Sequence, residues 1–583
     1  MAATDSAACA KNERPSQGGT CNRLARGREV SLAHLAAATK ERLSEFLVAS
    51  EHVPPSCGWV LFLSVSNGHE RARVEMGRGD SLDIAWSQGM QRLRIWLKRQ
   101  RLPPRWLRVD VVSEVRELRW QELKQLFSKT KTNYFKWGIS WDPEFRTAVL
   151  EQELSGTSSL YTGDIMACTP NQHNVQRLLN RRFGVDHGWP EIDGQPMWIF
   201  RTRAVFSDGH ETLVLEHEGN MAGVRRIETL DAELALDLVS RSSEYLSRQV
   251  RQDGRWDYGW APAFDKPIPS YNSLRHASSA YALLEGWELT REPRHLDAAE
   301  RALDYLCREL VHEVERPDGS HVSYLVDTGN EIKLGGNAVS LLALAKHAKL
   351  TGDTRRFPLM EKLACGLLGM QDPETGGFVH VLEYPSLALK ERTRTIYYDG
   401  EAAFGLMRLY DLTGDPRWLR AVRQAMDHFI ASEHWKAHDH WLGYCITEFT
   451  LHVPEKKYFL FGIQNVREHL DFVLTRLTTY PTLLELMMAA QRMFARMRED
   501  DELRAMLHAE LDLEKFDRAL NYRARYLLNG YFYPELAMFF KAPQKILGSF
   551  FIRHYGFRVR IDDVQHYLSG YVAYCNWLRG KRA

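Results

Sequence analysis

The feature that most constrains this chain is a repeat of paired helices in its C-terminal part. Three segments share an apolar helix, then Leu-Thr-x-Glu/Asp, then an amphipathic helix, and their landmark residues Thr290, Thr351 and Thr413 recur every 61 or 62 residues. A degraded fourth copy begins at Pro481. Tetratricopeptide-like repeats have a period of about 34 residues. The longer period here indicates helical hairpins separated by long loops.

The two helices of each pair differ in composition, and the difference predicts their positions. The first helix is rich in Ala, Gly and Leu nearly all round, so it should be buried on most faces. The second carries Arg, Glu and Asp on one face and should lie outside. Inner helices ringed by outer helices form an α/α toroid, and the rival arrangement is an open solenoid. Long Gly- and aromatic-rich loops between the hairpins favour the toroid, because sites are usually built on such loops.

The preceding part of the chain predicts a different fold class. Residues 59–66, 71–76 and 106–112 have the pattern of strands, Ser31 and Ser81 are placed to cap helices, and residues 196–219 resemble a hairpin that turns at Ser207-Asp208-Gly209. We predict an α+β domain of unknown role over residues 31–228, followed by an all-α (α/α) toroid domain over residues 229–583. Residues 1–30 are predicted to be a disordered N-terminal segment.

The charge balance and the motifs of the sequence limit the classes of partner and cofactor that it predicts. The 76 Lys+Arg and 75 Asp+Glu residues leave a net charge of +1, which gives no support for nucleic acid as a partner. No run of about 18 apolar residues occurs, so no membrane insertion is predicted. The eight cysteines lack CxxC spacing and no secretory signal is evident, which favours a cytoplasmic location. Nucleotide, dinucleotide and serine-hydrolase motifs are missing. We therefore predict no cofactor and no metal, and His438-Asp439-His440 is interpreted as a solvated stretch.

Two segments carry a resemblance to known families. The loop QVRQDGRWDYGW (249–260) resembles a loop of several α/α toroid enzymes. YYDGEAAFGLMRLYDLTGDPRWLRAV (397–422) resembles a hairpin of the N-acylglucosamine 2-epimerase and unsaturated glucuronyl hydrolase superfamilies. The resemblance implies a six-hairpin toroid that acts on a sugar at the mouth formed by the N-termini of the inner helices.

Polar residues near the starts of the predicted inner helices supply the candidate site. The predicted acid–base residues are Asp399, Glu401, Asp562, Asp563, His276 and His566. The predicted substrate-binding residues are Arg275, Tyr271, Asn272, Asn337, Lys333, Trp256, Trp260, Tyr397, Tyr398 and Arg560. The structural alternative is that Asn272, Asn337 and Asp399 cap helices and that the arginines pair with neighbouring carboxylates. If the ring closes, Arg275 and His276 should face Asp562, Asp563 and His566.

Carboxylates on different helices across a cleft are what glycosyl chemistry requires. The leading hypothesis is a carbohydrate-active enzyme, resembling a glycoside hydrolase, that hydrolyses or otherwise modifies an acidic or N-acylated polysaccharide or oligosaccharide. A sugar epimerase or isomerase would instead use a base and an acid on opposite faces of a C–H bond, and a lyase would add a cation for a uronate. The alternative from another class is a non-catalytic scaffold that binds a glycan or partner proteins of polysaccharide biosynthesis.

Overall fold

A computed structural model describes residues 31–99, 103–316, 318–391 and 394–580. The segment 1–30 that was predicted to be disordered lies outside these residues. Up to residue 228 the described helices are α1 Leu32–Ala49, α2 Leu82–Leu97, α3 Trp120–Lys129, α4 Glu151–Gly156 and α5 Gln172–Phe183. The strands of this part are β1 Trp59–Ser66, β2 Arg73–Gly79, β3 Trp106–Arg119, β4 Gly138–Ser140, β5 Ala148–Val149, β6 Pro196–Ser207 and β7 Thr212–Val214.

These seven strands form one antiparallel sheet in the order β2-β1-β3-β6-β4-β5, with β7 paired to β6. The side chains of Ser31 and Ser81 cap α1 and α2, and β6 and β7 form the predicted hairpin. The prediction for β1 is confirmed residue for residue, whereas β3 continues seven residues beyond the predicted end. Local patterns therefore identified these elements, and the ends of β3 depend on its long pairing with β6.

The remaining helices are α6 Ala232–Gln249, α7 Ser273–Thr290, α8 Pro293–Tyr305, α9 Leu334–Thr351, α10 Phe357–Leu368, α11 Tyr398–Thr413, α12 Pro416–Ala431, α13 His440–His452, α14 Lys456–Arg467, α15 Leu470–Thr475, α16 Thr482–Met497, α17 Asp501–Glu510, α18 Leu513–Tyr526, α19 Pro534–Ala537, α20 Pro543–Ile546 and α21 Ile561–Gly580. The remaining strands are β8 Gly259–Ala261, β9 Lys266–Pro267, β10 Val311–Glu315, β11 His321–Asp327, β12 Glu331–Lys333, β13 Val381–Glu383, β14 Leu389–Glu391 and β15 Val559–Arg560. The prediction of an all-α domain did not include these strands, which arise because the long loops pair into a five-stranded and a three-stranded sheet.

Six helices form a closed inner ring. The helices α7, α9, α11, α13, α16 and α21 each pack against the next, and α21 returns to α7. Helices α6, α8, α10, α12, α14, α17 and α18 pack on the outside of this ring. Small residues allow the close approach: a side chain at Gly405 of α11 would meet the backbone oxygen of Ala338 in α9 at 3.0 Å. The predicted α/α toroid is confirmed, including its six inner helices.

Two of the six hairpins were not evident from the repeat. The pair α13 and α14 lacks the Leu-Thr landmark, and α21 takes its outer partner from the start of the helical part, where α6 packs against it. The degraded fourth copy corresponds to α16 and α17. Ring closure thus joins elements more than 300 residues apart, which no local pattern can indicate.

The sheet and the ring are joined by buried contacts. Arg108 and Asp110 form a fully buried ion pair at 2.8 Å, and Arg108 also donates to the backbone oxygen of Glu535 at 3.0 Å. The Glu535 carboxylate in turn accepts from the Nε of Arg225 at 2.9 Å. The apolar side chains of Met538 and Phe539 complete one face of the sheet's core. A domain division at residue 228 therefore stays a prediction.

Among the described residues, no helix combines the length and the apolar character that a bilayer crossing requires. The cytoplasmic location stays a prediction.

Candidate active site

The inner helices bring charged side chains together at one end of the ring, where these helices begin. We call this end the mouth and define it by six residues from five of the six inner helices. Its members are Arg275 of α7, Glu401 of α11, His440 of α13, Glu485 of α16, and Asp562 and His566 of α21. All six lie in the first two turns of their helices, so the ring geometry alone places them side by side.

Two histidines and a carboxylate form the centre of the mouth. Nδ1 of His566 donates to Oε2 of Glu485 at 2.7 Å, and Oε1 of Glu485 accepts from the Tyr444 hydroxyl at 3.2 Å. The imidazole of His440 lies 5.3 Å from that of His566, measured between ring centroids. Nε2 of His440 is buried and makes no hydrogen bond within the described part of the chain, although Oε2 of Glu485 is 3.9 Å away.

The two imidazoles have opposite electrostatic environments. Burial, together with the positive His566 and Arg275, lowers the pKa of His440 well below its usual value. Burial also opposes charge on His566, but the Glu485 and Asp562 carboxylates outweigh it and raise the pKa of that imidazole. These shifts favour the neutral form of His440 and the protonated form of His566. Paired groups whose pKa values are pushed apart are typical of a base and an acid acting together.

The rim of the mouth is a set of close ion pairs. Nη1 of Arg275 lies 2.7 Å from Oδ1 of Asp562, which also faces His566 at 3.6 Å. Arg560 binds Asp563 through two hydrogen bonds of 2.8 and 3.1 Å and lies 3.1 Å from Asp562. Burial alone would raise the pKa of Asp562, but the surrounding cations lower it. Asp562 is consequently ionised, and Arg275 does face it as the closed ring required.

Glu401 differs from the rim carboxylates because no cation within the described part of the chain forms an ion pair with it. Its Oε2 atom is buried and has no hydrogen-bond partner among the described residues. Burial raises the pKa of Glu401 well above its usual value, and the nearby Arg275 only partly opposes this. A side chain at Gly335 of α9 would meet that oxygen at 2.0 Å, so the glycine makes the space that the carboxyl group occupies. Burial thus favours the protonated form of Glu401, which can donate a hydrogen bond.

Asp399 and Lys333 lie beside the mouth in ion pairs of their own. Asp399 contacts Nε2 of His380 at 3.0 Å and Nε of Arg394 at 2.8 Å, and these partners lower its pKa against the effect of burial. The Nζ atom of Lys333 lies 2.9 Å from Asp327. Asp327 also accepts from the Ser273 hydroxyl at 2.7 Å, and this contact joins the start of α7 to the five-stranded sheet that contains β11.

His276 lies away from the mouth, on the outer side of α7. Its Nε2 atom contacts the backbone oxygen of Ala302 at 2.7 Å and its Nδ1 atom contacts the Tyr271 hydroxyl at 2.7 Å. The side chain is fully buried, and burial lowers its pKa to about 4. The Trp256 ring meets it edge-on and is itself buried. These contacts fit a residue that joins α7 to α8, and the predicted catalytic role stays untested.

Other predicted binding residues hold the loops in place. The Asn272 side chain caps α7 by accepting from the Arg275 backbone amide at 2.9 Å. Asn337 accepts from the Leu325 backbone amide at 2.7 Å, and Trp260 donates from Nε1 to Asp265 at 3.0 Å. Tyr397 and Tyr398 are at the mouth: the Tyr397 ring meets His440 edge-on at 5.4 Å, and Tyr398 lies beside Gly335 and Glu401.

The sequence reasoning missed His440 and Glu485. The interpretation of residues 438–440 as solvated was wrong, because Asp439 is fully buried, where it caps α13, and His440 is 2 % exposed. A signal was available in both cases. His440 directly precedes an apolar helix, and Glu485 is a single carboxyl group within TLLELMMAA. A charged residue in such a stretch needs a partner, and its partner comes from another helix.

Three potential ligand atoms of His440, Glu485 and His566 lie within 4.8 Å of one another, which would suit a divalent cation. The 2.7 Å contact between His566 and Glu485 has the length of a charge-assisted hydrogen bond. We therefore interpret the three side chains as an acid–base group.

No family model and no curated protein sequence matches this chain. Several solved structures are similar to it. They include a cellobiose 2-epimerase from Spirochaeta thermophila (15% identity, TM-score 0.46, covering 60% of this chain and 98% of that chain). A D-mannose isomerase has 11% identity and a TM-score of 0.44, with coverage of 60% and 98%. An α-mannanase of glycoside hydrolase family 76 from Bacteroides thetaiotaomicron has 10% identity and a TM-score of 0.41, with coverage of 60% and 97%.

Proposed function

We propose that this chain is a carbohydrate-active enzyme that isomerises or epimerises a reducing sugar at the mouth of its ring. The observation that carries the proposal is the pair His440 and His566, which lie 5.3 Å apart with pKa values shifted in opposite directions. The proposal depends on these side chains rather than on the fold, because one fold supports many chemistries.

The proposed reaction moves one proton at a carbon next to the carbonyl of the open-chain sugar. Neutral His440 removes the C–H proton while protonated His566 donates to the carbonyl oxygen, which gives an enediol. Return of a proton to the former carbonyl carbon of the enediol yields the isomer. Return of a proton to the opposite face of the original carbon yields the epimer. Glu485 keeps His566 protonated and oriented through their hydrogen bond. The proposed reaction transfers only protons, so it requires no external oxidant and no cofactor.

The groups around the pair suit the hydroxyls of a sugar. Glu401 supplies a neutral carboxyl donor, and Arg275 supplies guanidinium N–H groups and is partly exposed. Tyr397 is 36 % exposed and lies against His440, so its ring can form a wall for a substrate that reaches the imidazole.

Glycoside hydrolysis, the leading hypothesis from the sequence, is the second candidate. It is favoured by one observation: Glu401 has a raised pKa and Asp562 a lowered one, as a general acid and an ionised partner require. Against it, both consecutive aspartates are held in close ion pairs with Arg275 or Arg560, which competes with activating a water.

Incubation of the protein with a panel of reducing mono- and disaccharides in D2O distinguishes isomerisation or epimerisation from hydrolysis. Isomerisation or epimerisation predicts deuterium at the carbon beside the carbonyl, detected by NMR, and its loss in His440→Gln and His566→Gln. The matched control is His452→Gln, at the other end of α13, which contacts Asp411 on the protein surface.

Three results would contradict the proposal. Deuterium incorporation that persists in both histidine variants would remove their assigned roles. Cleavage of aryl glycosides that is lost only in Glu401→Gln would favour hydrolysis. Glycan binding without any turnover would favour the non-catalytic scaffold.

A further inference from the structure

A second set of basic side chains surrounds a cavity in the sheet part of the molecule, remote in sequence from the ring. This cavity, which we call the sheet cavity, has a volume of about 220 Å³. It lies between α3, the loop that follows it, β6 and the turn at residues 217–222. A single water needs only about 10–15 Å³, so the sheet cavity has room for a small organic molecule.

The lining of the sheet cavity combines aromatic walls with bases. Tyr134, Phe135 and Trp137 supply the aromatic surface, and Lys136, Arg201 and His217 supply the bases. None of the residues that line it is an aspartate or a glutamate. A smaller chamber of about 30 Å³ shares the three bases and adds the carboxylates of Glu151 and Glu216.

Each of the three bases has a carboxylate nearby, but at a distance longer than that of a close ion pair. The ion-pair distances are 3.7 Å for Lys136 with Glu151, for Arg201 with Glu114 and for His217 with Glu218. Arg201 instead lies flat over Trp137, with its guanidinium carbon 4.2 Å from the ring centroid. The Lys136 amine donates one hydrogen bond, to the backbone oxygen of Ala222 at 3.1 Å. The lining of the sheet cavity thus supplies three bases, none of which has a carboxylate in close contact within the described ranges.

Lys136, a largely buried amine, lines both the sheet cavity and the smaller chamber. Burial lowers the pKa of Lys136 to about 8, and Glu151 only partly opposes this effect. A buried amine in this condition gains from an added negative charge.

We propose that the sheet cavity binds a small organic anion, a carboxylate or a phosphate monoester attached to a ring. Lys136, Arg201 and His217 hold the anionic group by charge-assisted hydrogen bonds, and the aromatic walls contact the ring. The site is separate from the mouth and does not depend on the function proposed there. It assigns a role to the sheet part, in which the sequence analysis identified no functional motif.

Isothermal titration calorimetry of the full chain with glucose 6-phosphate, glucuronate, inorganic phosphate and neutral glucose tests this site. We expect one site for an anionic sugar with no matching affinity for glucose, and the two anions distinguish phosphate from carboxylate. Arg201→Gln should raise Kd about tenfold or more, the effect of losing one charge-assisted hydrogen bond. Arg146→Gln, an exposed arginine outside the lining, is the matched control and should leave Kd unchanged.

Variants at the sheet cavity and at the mouth show which of the two sites binds the anion, because Arg275 at the mouth could also attract one. The proposal requires that Arg201→Gln and His217→Gln weaken binding while Arg275→Gln does not. It is overturned if no anion binds, if both sheet variants bind as tightly as the unaltered protein, or if only Arg275→Gln weakens binding. Arg201 and His217 are partly exposed, so these variants should fold even if Lys136→Met does not.

Discussion

The mouth of the ring and the sheet cavity both gather bases, but they pair them differently. In the mouth, Arg275 with Asp562 and His566 with Glu485 are both 2.7 Å apart. In the sheet cavity, the three corresponding distances are all 3.7 Å. Close pairing with Glu485 raises the pKa of His566, whereas burial lowers that of His440, and groups whose pKa values are pushed apart suit proton transfer. Loose pairing leaves donors available, which suits capture of an anion.

The largest expected effect is a loss of turnover when a histidine of the mouth is replaced. Replacing His440 or His566 with Gln should lower turnover by about 10²–10⁴-fold, the usual contribution of one general acid or base. Circular dichroism melting should show a Tm close to that of the unaltered protein, and His452→Gln should keep full activity. If turnover survives both changes, the close pairing in the mouth has a structural role only.

The next prediction concerns a close, fully buried pair on the sheet side, Arg108 with Asp110. Asp110→Asn leaves the buried guanidinium without its counter-charge and should reduce the free energy of unfolding by about 3–5 kcal/mol. The measurement is urea denaturation followed by fluorescence. As a control, Glu144→Gln breaks the exposed pair with Arg146, which should change the free energy by less than about 1 kcal/mol. Similar values for the two variants would show that close pairing matters little to the sheet part.

The pH dependence of activity tests whether the pKa values of His440 and His566 are shifted in opposite directions. Activity requires neutral His440, so it falls as the pH drops through that group's lowered pKa, below 6.5. Activity also requires protonated His566, so it falls as the pH rises through that group's raised pKa, above 6.5. The charged groups facing His566 are Glu485, Asp562 and Arg275, with His440 opposite.

Glu485→Gln removes the main group that raises the pKa of His566 and leaves burial, which lowers it. The alkaline limb of kcat/KM should therefore move to lower pH, while the acid limb moves less. An alkaline limb that stays in place would mean that another group carries the transferred proton.

The smallest expected effect is at Asn272, which was predicted to bind substrate and caps α7. Loss of a helix cap typically costs about 1 kcal/mol. Asn272→Ala should therefore lower stability by about that amount, measured by chemical denaturation, with KM nearly unchanged. A large rise in KM with unchanged stability would restore the binding role.

The helix pairs, the two caps at Ser31 and Ser81, and strand β1 could be predicted from the sequence because each depends on neighbours along the chain. The contact between Arg275 and Asp562 could be predicted only on the condition that the ring closes. His276 illustrates the limit of such reasoning. It is adjacent to Arg275 in sequence, yet a helix rotates successive residues by about 100°, so the two side chains lie on different faces.

The order of apolar and polar residues by itself determined that this chain forms helical hairpins of long period and a preceding sheet. Only the tertiary structure decided which charges meet. His440, Glu485 and His566 come from three helices that closure brings together, and the sheet cavity draws its bases from a loop, a strand and a turn. The reason is physical: hydrophobic periodicity is a local property, whereas the pKa of a buried group depends on every charge within a few ångströms, whatever its distance along the chain.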